Sequence, residues 1–361
     1  MLDNFFKFFN RSVGTKPVLG VDIGTVSVKI AEILEKGGRP TMVNYGMIEV
    51  GDFLERPNSA IQTSSLKVDT DETARILKEL TARMKSTARE CVAVVPSFSS
   101  FVSLIDLPVM TNDELAQAMP LQARSLVPLP ISEVSIDWTV IGNYEDEKGA
   151  PKQQVLLISI PNEQIALYQN MFKKAGLKLK MVEIEGLSLA RSLSAGDPGV
   201  SMIIDIGGFS SAVAIASKGL LYAVSQTDFA SNSLTQALVK GLGINPRRAE
   251  TLKKQRGLVG MTGEYGLSTL MFPFVDVILN EARRMREIYE SKHGKKIEKV
   301  ILSGGGSDLI GLPEYVSNQF AVPVEKGNPF RGLSYPSEIA PLAANISSRF
   351  SVAIGAGMKS V

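Results

Sequence analysis

Residues that commonly carry nucleophilic or metal chemistry are scarce in this sequence. There is one cysteine and one histidine among 361 residues, so no disulfide can form within the chain. The cysteine, Cys91, lies in the apolar run CVAVV and is predicted to be a small buried side chain rather than a reactive thiol. The histidine, His293, lies in the charged segment SKHGKK, which predicts a solvent-exposed turn. Histidine-based triads and most zinc chemistry are therefore excluded.

Strong net charge and long apolar runs are also absent. The 39 basic and 37 acidic residues nearly cancel, so there is no basic field that would attract nucleic acid. No uncharged apolar stretch reaches the length of about 18 residues that a membrane span needs. The apolar share of 44% is typical of a globular protein, and a chain of this length is expected to form two lobes. These features predict a protein of a reducing compartment without a transmembrane segment.

The first residues contain an unusual aromatic cluster, LDNFFKFFN. It is too short, and too interrupted by charge, to be a signal peptide. If the segment 1–16 is helical, one of its faces carries Leu2, Phe5, Phe6 and Phe9. Three interpretations stay open: an interfacial membrane anchor, a flap that docks on this protein or on a partner, and a disordered leader.

The motif Asp-Ile-Gly occurs twice, each time at the end of a short apolar run. The first copy is VLGVDIGTVSVKIAEI and the second is SMIIDIGGFSSAVAIA, so Asp22 and Asp205 occupy equivalent positions. A third glycine cluster follows in VILSGGGSDLIGL. In each copy an apolar strand ends, the chain turns tightly, and a second strand returns. The order of these motifs predicts two related lobes that close on one nucleotide.

The two turns have the chemistry of phosphate sites. Gly24 and Gly207 allow positive φ and remove the Cβ that would keep the backbone from a phosphate, and successive amides in such a turn form an anion site. Further donors in the two copies are Thr25, Ser27 and Lys29, and Gly208, Ser210 and Ser211. Because Asp22 and Asp205 would repel phosphate, we expect Mg²⁺ and its waters to lie between them and the nucleotide.

The first lobe is predicted to comprise residues 17–96 and 155–198. Strands at 18–24, 27–34 and 42–50 precede a loop at 51–67, an amphipathic helix at 69–84 capped by Thr70 or Asp71, and the strand ECVAVVP. This order, repeated after Ser201, is typical of a ribonuclease H-like lobe. Glu183 and Glu185 precede a helix that is aimed at the second turn.

An insertion at 97–154 has a separate pattern of its own. The segments SFVSLIDLP and VSIDWTVIGNYE are predicted strands, and the helix between them is kinked at Pro120. The charged segment EDEKGAPK is predicted to be a hairpin turn. The insertion therefore predicts a small α+β subdomain seated in the first lobe. It contains no histidine and no carboxylate cluster, which favours a role in contact with a partner over chemistry.

The second lobe is predicted at 199–344, and the tail 345–361 is predicted to return to the first lobe. A long helix, FVDVILNEARRMREIYESK, places Glu281 and Arg284 on one face at i and i+3. The pair is interpreted either as an ion pair within the helix or as two groups that reach a ribose and base.

Several longer motifs carry a resemblance to known proteins from about Val18 to the end of the chain. They are LGVDIGTVSVKIAEI, the series IDLP, LVPLP, IDWTVI and VLLISIP, then KKAGLKLKMVEIEGLSLARSL, and KVILSGGGSDLIGLPEYV with GNPF. The sequence resembles the actin/Hsp70/sugar kinase ATPase superfamily, and within it the PilM family of type IV pilus assembly. The resemblance implies an α/β, actin-like ATPase fold with two ribonuclease H-like lobes around a nucleotide cleft, and an inserted FtsA-like α+β subdomain.

The resemblance also implies the roles of the site residues. The first phosphate loop is then Asp22, Gly24, Thr25, Ser27 and Lys29, and the second is Asp205, Gly207, Gly208 and Ser210. The adenosine loop is Gly304, Gly305, Gly306 and Ser307, with Glu281 and Arg284 near the nucleoside. Glu185 stands where the superfamily orients the attacking water, and Asp22 and Asp205 serve catalysis and Mg²⁺. One departure is the segment DFASNSLT, in which Ala230 and Ser231 replace a usual Gly-Gly pair.

The function implied by this resemblance is that of an ATP-binding scaffold in pilus assembly, with at most slow ATPase activity. Its expected cofactors are ATP and Mg²⁺. Its expected partners are the N-terminal cytoplasmic peptide of a PilN-type inner-membrane protein, other pilus machinery and further copies of itself, with no nucleic acid. The expected location is the cytoplasm, peripheral to the inner membrane. Two alternatives are a small-molecule kinase with Glu185 as its base, and an FtsA-like filament protein of cell division.

Overall fold

The computed structural model describes residues 16–50, 69–146, 148–259 and 265–360. The predictions for the aromatic start and for the loop after residue 50 lie outside this part of the chain. The strands, numbered in chain order, are β1 (Val18–Ile23), β2 (Ser27–Lys36), β3 (Arg39–Glu49), β4 (Glu90–Val95), β5 (Phe101–Pro108), β6 (Val134–Glu145), β7 (Pro151–Pro161), β8 (Lys178–Ile184), β9 (Ser201–Ile206), β10 (Ser211–Ser217), β11 (Leu220–Thr227), β12 (Lys299–Ser303) and β13 (Val324–Lys326).

The helices lie on the faces of the sheets formed by these strands. They are α1 (Thr70–Arg83), α2 (Asn112–Leu126), α3 (Asn162–Lys174), α4 (Glu185–Ser194), α5 (Ser231–Leu242), α6 (Pro246–Arg256), α7 (Tyr265–His293), α8 (Leu312–Phe320) and α9 (Ala340–Gly357). No helix in the described ranges is long and apolar enough to cross a membrane. The N-cap of α1 is Asp69, whose side chain accepts from the Asp71 and Glu72 amides, so the predicted cap at Thr70 or Asp71 is one or two residues late.

Two five-stranded sheets repeat one topology. The first has the order β3-β2-β1-β4-β8 and the second the order β11-β10-β9-β12-β13. In each sheet the first three strands in sequence are antiparallel, and the last two run parallel to the strand that carries the Asp-Ile-Gly motif. Equivalent strands therefore deliver both motifs at the same edge of each lobe.

The inserted subdomain is a three-stranded antiparallel sheet with α2 on one face. Its order is β5-β7-β6, and its small core contains Leu107, Leu115, Met119, Val155 and Leu157. Helix α2 begins with a capping box between Thr111 and Glu114. All of β7 pairs with the other two strands of this sheet, so the boundary predicted at residue 154 lies within a strand of the subdomain.

Helix α9 returns to the first lobe and packs tightly on it. A Cβ atom on Gly20 of β1 would lie 2.0 Å from Ala353 O, and one on Gly355 would lie 2.0 Å from Ser188 O of α4. The same helix bonds to the second lobe, because Ser348 O accepts from Gly304 N at 2.9 Å and from Ser303 Oγ at 3.0 Å. Helix α9 thus joins the two lobes.

A seam of polar contacts connects the inserted subdomain to the second lobe. The amide of Phe98 donates to Gln226 Oε1 at 2.9 Å, Lys292 pairs with Asp106 at 3.2 Å, and Gln154 Nε2 lies 3.3 Å from His293 Nδ1. The prediction of an exposed turn at His293 is wrong. The histidine is the last residue of α7, and its half-buried ring packs against Tyr222 and Tyr289 because the helix continues to the seam.

Candidate functional site

A deep cleft separates the two lobes and contains both Asp-Ile-Gly turns. Its cavity of about 450 Å³ falls within the usual size range of ligand sites. The residues that line it and were predicted for the site are Asp22, Gly24, Thr25, Ser27, Lys29, Glu185, Asp205, Gly207, Gly208, Ser210, Gly304, Gly305 and Gly306. Residues far apart in sequence therefore meet at one place.

The two turns have the same local geometry. In each, the glycine amide donates to the carbonyl three residues later, from Gly24 to Ser27 and from Gly207 to Ser210, at 3.0 Å in both cases. Neither glycine has φ in the left-handed region, so the predicted positive φ is wrong. Glycine is needed for a different reason, since a Cβ would lie 2.9 Å from Ser27 O in the first turn and 2.7 Å from Ser210 O in the second.

The turns also face each other across a narrow gap. A Cβ on Gly208 would lie 2.1 Å from the Val26 side chain and 3.4 Å from Thr25 Oγ1. The backbone of the second turn therefore approaches the tip of the first turn as closely as glycine permits. Amides and hydroxyls from both lobes share one floor, which is the arrangement that a polyphosphate chain requires.

Ionised groups concentrate at this floor. Lys29 Nζ lies 2.8 Å from Asp22 Oδ2, and both side chains are largely buried. Burial alone would lower the pKa of Lys29, but the ion pair with Asp22 and the charges of Asp205 and Glu185 raise it above its usual value. The lysine is therefore a permanent cation in the cleft.

Two further carboxyl groups are held in an unfavourable environment. Burial is the main cause that raises the pKa of Asp205 to about 6; the Ser303 hydroxyl opposes this shift and Asp22 adds to it. Burial, followed by the charges of Asp205 and Asp22, raises the pKa of Glu185 well above its usual value. One lysine thus faces three carboxyl groups, and a divalent cation would relieve the excess negative charge.

The third glycine cluster closes against the second turn. Gly304 has φ of 79°, and a Cβ there would lie 2.4 Å from Ile206 O, next to the Asp205 motif. Two residues that the sequence predicts for the site turn inward instead of lining the cleft. Ser307 Oγ donates to Gly304 O at 2.7 Å within the glycine cluster. Ser211 Oγ donates to Phe229 O at 2.7 Å, which ties the start of β10 to the segment before α5.

Glu281 and Arg284 do not reach the cleft. Arg284 Nε donates to Glu281 Oε2 at 2.9 Å, and Ser225 Oγ also donates to Glu281. Of the two interpretations left open by the sequence, the structure contains the ion pair within the helix. The two residues lie on a face of α7 that packs beside β11, away from the lining of the cleft.

Helix α6 supplies the charged wall that the sequence interpretation missed. Glu250, Lys253 and Lys254 line the cleft. Lys253 is 4% exposed and donates to Ser231 O, Ser231 Oγ and Thr235 Oγ1 at 2.7 to 3.0 Å, while it pairs with Glu250 at 2.7 Å. The available signal was the i, i+3 spacing of Glu250 and Lys253, which any charged helix surface can show.

The unusual residues Ala230 and Ser231 begin α5 at this wall. Ala230 is the N-cap, and Ser231 N donates to Gly207 O at 3.2 Å. The Ser231 hydroxyl is held by Lys253 at 2.7 Å. The side chain that replaces a usual glycine is therefore fixed in place by a buried cation.

Comparison with known proteins gives a consistent result. The family described as type IV pilus assembly protein PilM matches residues 20–361 of the chain. Among solved structures, a PilM-PilN type IV pilus biogenesis complex is similar with a TM-score of 0.80 and 21% identity, over 96% of this chain and 99% of that one.

Two other structures show the same fold at lower similarity. MreB5 of Spiroplasma citri bound to ADP has a TM-score of 0.55 at 16% identity, covering 95% of this chain and 96% of its own. The ethanolamine utilization protein EutJ from Carboxydothermus hydrogenoformans has a TM-score of 0.54 at 15% identity, covering 100% and 96%. The predicted actin-like fold is confirmed.

Proposed function

The chain belongs to the PilM family of type IV pilus assembly proteins, and from this premise we propose that it is a scaffold whose two lobes bind ATP with Mg²⁺. The observation that carries the proposal is that the two turns that follow Asp22 and Asp205 face each other across the cleft, where Gly208 of the second turn approaches Val26 of the first. The family membership favours this function over a small-molecule kinase and over an FtsA-like filament protein.

One set of cleft residues binds the phosphates and a second set binds the metal. The amides and hydroxyls of the two turns donate to phosphate oxygens, and Lys29 adds a fixed positive charge. Asp22 and Asp205 would hold Mg²⁺, a cation that keeps most of its water shell and takes few carboxylates. When bound, Mg²⁺ supplies positive charge that offsets the phosphates and both aspartates.

Glu185 supports binding with slow turnover. Its side chain lies in the cleft, where it is placed to orient a water molecule. In the ligand-free cleft, burial and the charges of Asp205 and Asp22 raise the pKa of its carboxyl group well above the usual value. Only the ionised form can accept a proton from the attacking water, and hydrolysis is therefore expected to be slow at most.

The partner is a PilN-type inner-membrane protein, whose N-terminal cytoplasmic peptide occupies a groove beside the inserted subdomain. A solved complex pairs a PilM with a PilN, and this chain is similar to that structure over nearly its whole length. Such a partner places the protein at the cytoplasmic face of the inner membrane. Because the seam ties the subdomain to the second lobe, closure of the lobes on ATP changes the groove and couples the two ligands.

The substitution Asp205→Ala tests both halves of this proposal. We expect it to weaken the binding of Mg-ATP at least tenfold, and to remove the increase in peptide affinity that ATP produces. Isothermal titration calorimetry with the PilN-type peptide, in the presence and absence of Mg-ATP, measures both effects.

Asp71→Ala is the matched control, because Asp71 is an exposed carboxylate that pairs with Lys174 on the surface. It should leave both affinities unchanged. A peptide affinity of the unmodified protein that is the same with and without ATP would contradict the coupling. Tight Mg-ATP binding by Asp205→Ala would contradict the assignment of the cleft.

A further inference from the structure

Asn232 is a buried side chain of the cleft wall that lacks hydrogen-bond partners. It is the second residue of α5, is 3% exposed and lines the cleft. Both its nitrogen Nδ2 and its oxygen Oδ1 are without a partner within the described part of the chain. A buried amide with both groups unsatisfied is costly, and folded proteins usually complete such a group with water or a ligand.

The groups around Asn232, in contrast, satisfy one another. Ser231 N and Asn232 N donate to Gly207 O and Gly208 O at 3.2 and 2.9 Å. The ammonium of Lys253 is fully used by the contacts to Ser231, Thr235 and Glu250. The first turn of α5 is therefore well ordered, and the free amide is not the result of a loosely packed helix end.

The position of Asn232 identifies the part of a nucleotide that it meets. Its own amide bonds to Gly208 of the phosphate turn, and one residue earlier Ser231 bonds to the Lys253–Glu250 pair. In a nucleotide that is bound with its phosphates at the turns, the sugar lies between the phosphates and the base. Asn232 stands in the corresponding place, between the turn and the wall formed by α6.

The chemistry of the free amide agrees with a sugar hydroxyl. An amide offers one acceptor and two donors, and a hydroxyl group both donates and accepts. A phosphate oxygen only accepts, so it would leave Oδ1 unpaired. We propose that Asn232 binds a ribose hydroxyl of the nucleotide and makes the affinity of the cleft depend on that hydroxyl. This inference rests on the proposed binding of ATP in the cleft.

Calorimetry with sugar analogues tests the inference. Both 2′-deoxy-ATP and 3′-deoxy-ATP are measured, because each lacks one of the two ribose hydroxyls. The unmodified protein should bind the analogue that lacks the contacted hydroxyl about tenfold more weakly than ATP. The variant Asn232→Leu keeps the branched outline of the side chain and has no polar group. It should bind ATP about tenfold more weakly than the unmodified protein and should bind ATP and both analogues equally. Asn143→Ala, which removes an exposed asparagine of β6, should keep the preference for ATP.

Thermal unfolding without nucleotide provides a second readout. Because the amide has no partner to lose, Asn232→Leu should unfold at the same temperature as the unmodified protein or higher. A fall of several degrees together with unchanged ATP affinity would show that the amide is structural and overturn the proposal. A preference for ATP that survives in Asn232→Leu would overturn it as well.

The two proposals fail in different ways. If the unmodified protein does not bind ATP, the nucleotide site is refuted and the ribose contact with it. If ATP binds but deoxy analogues bind as well as ATP, only the role of Asn232 is refuted. Weak binding of inosine triphosphate alongside tight binding of both deoxy analogues would place the amide at the base, and would also overturn the ribose contact.

Discussion

At the scale of single residues, the floor of the cleft combines buried carboxyl groups with the fixed positive charge of Lys29. Asp205 and Glu185 have raised pKa values mainly because of burial, while Lys29 stays charged beside Asp22. Such a site is unfavourable without a ligand, since each buried carboxylate must lose its proton against a field of like charges. Binding of a metal and polyphosphate changes that balance, and the charge of the site therefore depends on pH.

The raised pKa of Asp205 predicts that the ligand-free protein becomes less stable as the pH rises. The folded pKa is about 6, against an ordinary value of 3.8, so the folded state binds the proton more tightly than the unfolded state. The contribution of Asp205 to the free energy of unfolding is present in full below about pH 4, and it is lost as the pH rises through about 6. The substitution Asp205→Asn removes this loss and should stabilise the ligand-free protein at pH 8, relative to pH 4, by on the order of 2 kcal/mol.

Urea unfolding of both proteins at pH 4 and pH 8 measures this difference. Asp71→Asn is the control, because that carboxylate is exposed at the surface. At each pH, the unfolding free energy of the unmodified protein is subtracted from that of Asp205→Asn. If this difference is the same at pH 4 and pH 8, the prediction is contradicted.

Residues that belong to local motifs could be predicted, and those that act through tertiary packing could not. Asp22 and Asp205 were identified because each follows an apolar strand and precedes a glycine. The predicted reason for glycine at these turns, a positive φ, is wrong. Only the folded turn shows that a Cβ atom would lie too close to the carbonyl oxygen of Ser27 or Ser210. Lys253 and Asn232 lie in ordinary helical sequence, and their burial in the cleft depends on how α5 and α6 pack.

At the scale of secondary structure elements, α9 determines how the lobes are joined. Glycines replace side chains at its contacts with β1 and α4, and the carbonyl of Ser348 accepts from the glycine cluster of the second lobe. Arg349 of the same helix bonds to Asp308, which follows that cluster, at 2.6 Å. One helix therefore packs into the first lobe and touches the loop predicted to lie near adenosine.

The substitution Gly20→Ala should disrupt this packing. Its Cβ would lie 2.0 Å from Ala353 O and 2.3 Å from Gly357 N, and neither backbone atom can move away without shifting α9. We expect a loss of about 3 kcal/mol of stability, measured by urea unfolding. Gly142→Ala is the matched control, because a Cβ on that strand residue meets nothing within 4 Å, and its effect should be small. Equal stability of the two variants would show that α9 is not held by this contact.

The limits of most elements could be predicted from apolar periodicity, and the exceptions have physical causes. Helix α7 was predicted to start at Phe274 but begins at Tyr265, so Pro273 lies inside it and does not end it. Strand β7 was assigned to the first lobe from residue 155, because its apolar run matches any buried strand. Only its pairing with β5 and β6 shows which sheet it joins.

At the scale of the whole molecule, the seam gives the inserted subdomain a direct connection to the second lobe. Gln154 donates to Asp106 at 3.2 Å and approaches His293, while Lys292 reaches Asp106 and the carbonyl of Leu104. The bond between Gln154 and Asp106 lies within the subdomain sheet, and the contacts of Lys292 and His293 join that sheet to α7 of the second lobe. A rotation of the lobes about α9 must therefore either move the subdomain or break the seam.

The double substitution Gln154→Ala, Lys292→Ala tests this connection. We expect ATP and the PilN-type peptide each to bind with nearly unchanged affinity alone, while the factor by which one ligand enhances the other falls several-fold. Calorimetric titrations of each ligand, with and without the other, give this factor. Lys178→Ala, at a surface pair with Glu90 in the first lobe, serves as the control. A coupling factor unchanged by the double substitution would exclude the seam as the route.

The place of α9 in the chain has a consequence for biosynthesis. Ala31, Ile33 and Met42 of the first lobe are covered by Phe350, Ala353 and Ile354, which leave the ribosome more than three hundred residues after them. Nascent chains fold from their N-terminus as domains are completed, but this lobe stays open on one side until the residues between these two segments have been translated. Its apolar face is exposed during that interval, and chaperone binding to the emerging chain is expected to persist until α9 docks.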